Sequence, residues 1–210
     1  MSDSMSARPS DPIQVIICGL VLAAITVWAY YFQFEYTNLL EEFDFAGELV
    51  WQEPWRLLTA HFLHLTTMHW LLNSLGLLLL TVLFARYFTV RTYLNALILI
   101  TLGSSVALSL LGFEQRFVGL SIVNHGLLVM GVLLELQAAS SSTQRKLMFF
   151  ILVLVAAKWL AEFFGVWQSF LAVGQVQHIW LLHGLGILSG ILAWWLHNRR
   201  LAKLAQLESE

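Results

Sequence analysis

Charge is what this chain has least of. Only 11% of its 210 residues are Asp, Glu, Lys or Arg, under half of the roughly 25% usual in soluble domains. So few charges cannot cover a soluble surface of this size. With 59% of the residues hydrophobic, an ordinary cytosolic domain and a disordered chain are both excluded. The formal net charge is −2, which leaves no basic field for phosphates and excludes nucleic acid as a partner. A single cysteine, Cys18, excludes an internal disulfide and a cysteine metal cluster.

What the chain does have is long apolar runs. A bilayer-spanning helix takes about 20 apolar residues. Six runs lie between charged punctuation: Pro12 to Phe32, Leu57 to Ala85, Thr92 to Phe113, Phe117 to Leu134, Leu147 to Gly165 and Val176 to His197. The expected fold is all-α, a polytopic membrane bundle of six transmembrane helices over residues 12–198. Short tails flank it, 1–11 and 199–210. The first run is too long for a signal peptide and follows a segment with no basic excess. The residues before Cys18, Val15-Ile16-Ile17, lack the small residue of a lipoprotein cleavage site, so the run reads as a retained helix.

Orientation follows from the basic residues. Arg8, Arg86, Arg91, Arg145, Lys146, Arg199, Arg200 and Lys203 all fall on one side, eight of the eleven Lys and Arg. Glu35, Glu41, Glu42, Asp44, Glu48, Glu53 and Glu114 fall on the other, with Arg56 and Arg116. Six spans then place both termini in the cytoplasm of a multi-pass plasma-membrane protein. The acidic, aromatic loop from Gln33 to Glu53 reads either as an interfacial segment or as a solvated connector.

Polar groups at membrane depth are costly and need a reason. The second run carries His61, His64, His69 and Asn73, the last two four apart on one helical face. The fourth opens Gly119-Leu120-Ser121 and continues to Asn124, His125 and Gly126. The sixth carries His183, with Gly186 and Gly190 following. A serine hydroxyl is a poor nucleophile until a base takes its proton, and His183 is the candidate base for Ser121. Attack on a carbonyl builds an oxyanion that fixed donors must stabilise; His69 and Asn73 are candidates, with the Ser121 N–H. Gly186, Ser189 and Gly190 let the sixth helix approach the fourth closely. Each residue also has a bland reading. Ser121 alone is helix-packing glue, His183 a satisfied core histidine, and the His69–Asn73 pair a brace for the second helix. His125, four residues after Ser121, is a rival base. Lys158 and Glu162, four apart in the fifth run, read as a structural ion pair whose members offset each other's desolvation cost, or as residues with a role in substrate choice; a Ser–His dyad needs no buried carboxylate.

These motifs resemble the rhomboid family of intramembrane serine proteases. The resemblance rests on His69 to Asn73, on Gly119-Leu120-Ser121, and on His183-x-x-Gly186-x-x-x-Gly190, in that order on the second, fourth and sixth runs. Trp55-Arg56 and His64 also fit. The chain is most similar to the rhombosortase branch, through Leu-Thr-Ala-His-Phe-Leu-His over residues 58–64 and His125-Gly126 after Gly-Leu-Ser. The resemblance implies Ser121 and His183 as catalytic residues, His69 and Asn73 at the oxyanion, and Gly119, His125 and Gly186 in support. No metal or cofactor is implied. The implied partners are the lipid bilayer and single-pass substrates with a C-terminal anchor, built from a Gly-Gly motif, an apolar helix and a basic end. The implied location is the inner membrane of a Gram-negative bacterium, with the site open to the periplasmic side.

One position departs from the pattern. The family usually has glycine directly after the nucleophile, and this chain has Ile122. A stiff β-branched residue there is expected to narrow the cleft or disturb the oxyanion hole. It favours a rival function, a non-catalytic rhomboid-like protein that binds transmembrane helices. Seven histidines prompt a third reading, a haem or metal protein, with His69 and His125 as the arguable pair of axial ligands.

Overall fold

The computed structural model describes residues 11–36, 38–167 and 178–209. Among them lie eight α-helices: α1 (Pro12–Glu35), α2 (Leu39–Phe43), α3 (Arg56–Thr59), α4 (Thr67–Phe84), α5 (Val90–Leu110), α6 (Ser121–Ala138), α7 (Ser142–Phe163) and α8 (Ile179–Ser209). Five segments are long and apolar enough to cross a membrane: Pro12–Glu35, Thr67–Tyr87, Val90–Leu110, Ser121–Ala138 and Ile179–Leu207. The chain is an all-α polytopic membrane protein.

The helices start where local chemistry predicts. Asp11 accepts from the Ile13 N–H at 3.0 Å, and Pro12 opens α1. Thr66, Thr89 and Ser141 cap α4, α5 and α7 with their hydroxyls, each satisfying an N–H that the first helical turn leaves free.

Three boundaries differ from the apolar runs. The second run breaks into α3, a 3₁₀ turn (Ala60–Phe62) and α4. Leu63 and Thr66 are extended, and the Thr66 hydroxyl accepts from His69 N at 3.1 Å, so the helix starts afresh at Thr67. The fifth run forms α7, but Arg145 and Lys146 at one end and Lys158 and Glu162 at the other keep it out of the five apolar segments. The sixth run continues as α8 through Arg199, Arg200 and Lys203, so the expected C-terminal tail is helical to Ser209. The expected start of that run, Val176, lies outside the described residues, as does the N-terminal tail before Asp11.

α6 and α8 approach each other closely. A Cβ on Gly186 would fall 3.1 Å from the Ile122 carbonyl carbon, and one on Gly190 would fall 2.7 Å from Gly126 Cα. The pairing runs in register, 122 with 186 and 126 with 190, so the two helices are parallel and in backbone contact. This is the small-residue packing that membranes favour, where dispersion replaces the hydrophobic drive. One apolar cluster joins α4, α5 and α6 around Leu77, Tyr93, Ile100, Leu127 and Met130. A second, at the opposite end, joins Phe45, Val50, Ala60, Phe117, Ile122 and Leu182. Polar side chains inside the bundle find partners: Thr26 with Ser74 at 2.9 Å, Ser104 with Ser189 at 3.1 Å, and Tyr93 with Thr81. On α1, Ile13, Ile17, Leu20, Val21 and Trp28 are exposed, which suits contact with lipid. On α7 one residue is buried, and it is Glu162.

The segment from Gln33 to Glu53 is no loose connector; its described residues fold onto the bundle. Phe45, Ala46 and Val50 are completely buried. The anchor is Arg56, itself 3% exposed. Its guanidinium reaches Asp44 Oδ1 at 2.9 Å, the Asp44 and Glu41 carbonyls at 3.0 and 2.8 Å, and Glu53 Oε2. Arg116 holds the other Asp44 oxygen at 3.0 Å. At the far end of the bundle Arg86 pairs with Glu135 at 2.6 Å, fixing α6 against the turn after α4.

Two outcomes follow. Arg56→Met leaves the buried Asp44 with Arg116 alone and is expected to cost about 3 kcal/mol, read as a lowered thermal midpoint in detergent. Ile122→Ala opens a cavity in the cluster of Phe45, Phe117 and Leu182 and is expected to cost about 2–5 kcal/mol, by the same measurement.

Candidate active site

Ser121 is the first residue of α6. The turn before it is tied twice. Phe45 and Phe117 exchange backbone hydrogen bonds at 3.0 and 3.3 Å, and Gly119 N donates to the Ala60 carbonyl at 2.9 Å. Gly119 has φ +118, where L side chains rarely fit. A Cβ there would also fall 2.7 Å from His69 Nε2 and 3.3 Å from Asn73 Nδ2. The residue must therefore be glycine on two counts, and its bareness lets the His69–Asn73 face of α4 close over the turn. The first N–H groups of α6, from Ser121 onward, have no carbonyl one turn back in the helix. The helix dipole adds positive potential at the same place.

His183 lies near the start of α8, one turn before Gly186, and is 3% exposed. Its ring stacks on His125, with centroids 4.0 Å apart and 20° between planes. His125 Nδ1 is 2.6 Å from the Ser121 carbonyl; a carbonyl only accepts, so Nδ1 carries the proton. His125 is thus pinned to the backbone of Ser121 and forms the plate on which His183 rests. The rival-base reading of His125 fails, because its Nδ1 donates to this carbonyl and its Nε2 is 2.8 Å from Lys158 Nζ. That nitrogen, the one a haem iron would take, faces the Lys158 ammonium instead. His183 Nδ1 meets Glu162 Oε2 at 2.8 Å, while its Nε2 is buried without a partner. Among the described residues no hydrogen bond joins Ser121 Oγ to His183. Catalytic hydrogen bonds are often open at rest and tighten with substrate.

The third element is α4. Asn124 Nδ2 donates to the Asn73 carbonyl at 2.9 Å and lies 3.5 Å from Asn73 Oδ1. That turns the acceptor side of the Asn73 amide toward α6 and leaves Nδ2, buried and unpartnered, beside Gly119. The His69 ring lies against the same glycine and packs edge-on to His64, with centroids 5.1 Å apart. His64 is completely buried, and its backbone is clasped at both N–H and C=O by the Gln33 side chain, at 3.0 and 2.7 Å. His61 bonds Ser105 at 2.9 Å. Both of these histidines brace the structure.

All seven residues singled out from the sequence thus gather at one end of the α4–α6–α8 contact. Three others join them that the sequence reading placed elsewhere or left unassigned. Asn124 orients Asn73, and Glu162 and Lys158 reach His183 and His125 from α7. The i,i+4 spacing of Lys158 and Glu162 was visible, but the partner on another helix was not. Ile122 does not behave as its chemistry suggested. Its side chain is completely buried in the cluster with Phe45 and Phe117, so it fills core rather than cleft, and only its backbone faces Gly186.

The Rhomboid domain family matches residues 51–200, which includes every residue of this cluster. Among curated proteins there is no match to the chain. A family match over well more than half of the chain, with the serine, histidine and glycine motifs at one helix junction, leads to one conclusion: this chain belongs to the rhomboid family, whose members are typically serine proteases that cut within membranes.

Proposed function

We propose that this protein is an intramembrane serine endopeptidase, with Ser121 as nucleophile and His183 as general base. One observation carries the reading. His183 presents a buried Nε2 with no partner, while its Nδ1 is held and its ring lies on a histidine bonded to the Ser121 carbonyl. An unpaired basic nitrogen buried beside a serine at a helix N-terminus has a cost, and proton transfer gives it a purpose.

The chemistry follows from the positions. A substrate carbonyl approaches the N-terminus of α6. Ser121 Oγ attacks its carbon and passes its proton to His183 Nε2. The oxyanion meets the free N–H groups of the first α6 turn and the Asn73 Nδ2 donor, with the His69 ring beside them. The intermediate collapses when His183 returns the proton to the leaving amine. The acyl group then sits on Ser121 until water, or another amine, takes it. Asn124 and Gly119 act by placing Asn73 and His69.

The membrane arrangement belongs to the same proposal. α7 is a transmembrane helix too, fifth in chain order, which brings the domain 12–198 to six spans. Its charges are tolerable because Glu162 meets Lys158 and His183 within the bundle, as intramembrane ions generally require. Six spans place both termini, including 1–11 and 199–210, in the cytoplasm of the plasma membrane, with the site near the opposite leaflet. The substrates are single-pass proteins held by a C-terminal anchor of the Gly-Gly type, as the likeness to rhombosortases suggests. The reading as a non-catalytic helix binder rested on Ile122, and a completely buried Ile122 side chain no longer supports it.

The test is co-expression with a reporter that carries a Gly-Gly-type C-terminal anchor. Wild type is expected to cleave it, and Ser121→Ala and His183→Ala each to abolish cleavage while inserting normally. Uncut reporter with wild type, together with no labelling of Ser121 by a serine-directed fluorophosphonate, would overturn the proposal. Asn73→Ala removes one donor and is expected to lower kcat by about 10²- to 10³-fold, measured on purified enzyme with detergent-solubilised substrate.

A further inference from the structure

A buried carboxylate on the edge helix stands out. α7 faces outward along its length, and its one buried residue is Glu162, 5% exposed. Burying an ionised carboxylate in a membrane protein is costly unless it is paired and used. Its two oxygens are divided. Oε1 lies 2.8 Å from Lys158 Nζ, and Oε2 lies 2.8 Å from His183 Nδ1. Lys158 Nζ also lies 2.8 Å from His125 Nε2 and 3.0 Å from His183 Nδ1.

These contacts bear on where the histidine protons sit, as a tautomer is set by the bond its other nitrogen makes. His125 donates from Nδ1 to the Ser121 carbonyl, so its Nε2 is a lone pair that accepts from Lys158. His183 Nδ1 has two rival neighbours. If it carries a proton it donates to Glu162, and Nε2 is left as the lone pair that a base needs. If it accepts from Lys158, Nε2 carries the proton and cannot take another from Ser121. The first arrangement gives the carboxylate Oε2 a donor and leaves the ammonium its ion pair with Glu162 Oε1 and its bond to His125. The second leaves the carboxylate oxygen facing a lone pair.

We propose that Glu162 is the positioning carboxylate of His183, making the proposed protease site a Ser121–His183–Glu162 triad rather than a dyad, with Lys158 locking the carboxylate and the His125 plate. The inference rests on the protease reading for its catalytic consequence, but not for its tautomer. During the reaction the proton from Ser121 Oγ goes to Nε2 and then to the leaving amine. The Nδ1 proton stays on the ring, and Glu162 is never protonated. The carboxylate and the ammonium are almost equally near the ring, 2.8 and 3.0 Å away, so their fields there largely cancel. Glu162 therefore acts through orientation and tautomer more than through charge. This resembles the role of the third member in serine protease triads, where replacing the acid by its amide keeps the geometry but yields the wrong tautomer.

The test compares wild type, Glu162→Gln and Glu162→Asp as full-length proteins in detergent. Nitrogen NMR of histidine-labelled protein, with His183→Ala to assign the signal, reads the tautomer without needing turnover. Wild type is expected to show His183 protonated at Nδ1. Glu162→Gln is expected to shift it toward Nε2, since Lys158 then has the open claim on Nδ1. In cleavage and fluorophosphonate labelling, Glu162→Gln is expected to lower kcat and the labelling rate on the order of 10³-fold, with KM little changed. Glu162→Asp keeps the charge and is expected to recover much of that loss. An unchanged tautomer in Glu162→Gln, or labelling and kcat within a few-fold of wild type, would overturn the triad. So would a Glu162→Asp variant that folds and is no faster than Glu162→Gln. A wild type that neither cleaves nor labels, yet shows the tautomer shift, would sink the protease reading and leave the positioning role standing.

Discussion

The structure depends on one contact, the backbone-to-backbone approach of α6 and α8. Gly186 lies on Ile122, and Gly190 lies on Gly126. Water offers no help in pulling two apolar helices together inside a bilayer, so close approach has to come from the absence of side chains. Everything at the site is measured from that seam. It sets His183 beside the first turn of α6 and gives His125 a ring to stack on. A side chain at either glycine would separate the two residues proposed to share a proton.

Around the seam, the polar groups form a chain in which each member fixes the next. The Ser121 carbonyl sets the His125 tautomer, His125 receives Lys158, and Lys158 holds Glu162, which meets His183. On the other side Asn124 turns Asn73, whose amide faces the bare Gly119. In a low-dielectric setting an unmatched polar atom is expensive. Two of the unmatched atoms, His183 Nε2 and Asn73 Nδ2, stand where the proposed mechanism needs a base and a donor.

The folded segment between α1 and α4 supports the same site from above. Arg56 and Arg116 grip Asp44, and the neighbouring Phe45 pairs through its backbone with Phe117. That pairing holds the turn carrying Gly119 and Ser121. The family match begins at residue 51, at the end of this segment, so the matched region contains Arg56 and Arg116 while Asp44 lies before it. The segment therefore acts as a brace for the turn that carries Ser121, and Ile122 beneath it acts as packing.

Much of this was legible in the sequence. Composition and apolar runs suffice for a polytopic all-α protein, because a bilayer demands long uncharged helices. Gly119, Ser121, His69, Asn73, His183 and Gly186 were legible because helical spacing and small residues are local properties of the chain. The break between Phe62 and Thr67 was not. No Gly or Pro marks it, and the Thr66 cap with the packing of Ala60 and His61 ends one element and begins another. The partners of Glu162 were hidden for a similar reason. Spacing on α7 pairs it with Lys158, but His183 is 21 residues away across a helix connection. Ile122 shows the reverse case: its identity suggested interference with the cleft, and only its neighbours Phe45 and Phe117 reveal it as core. Sequence alone singled out the residues proposed to carry chemistry and the apolar runs that hold them. Tertiary structure decided which nitrogen faces which oxygen, because that depends on how helices distant in the chain are rotated against one another.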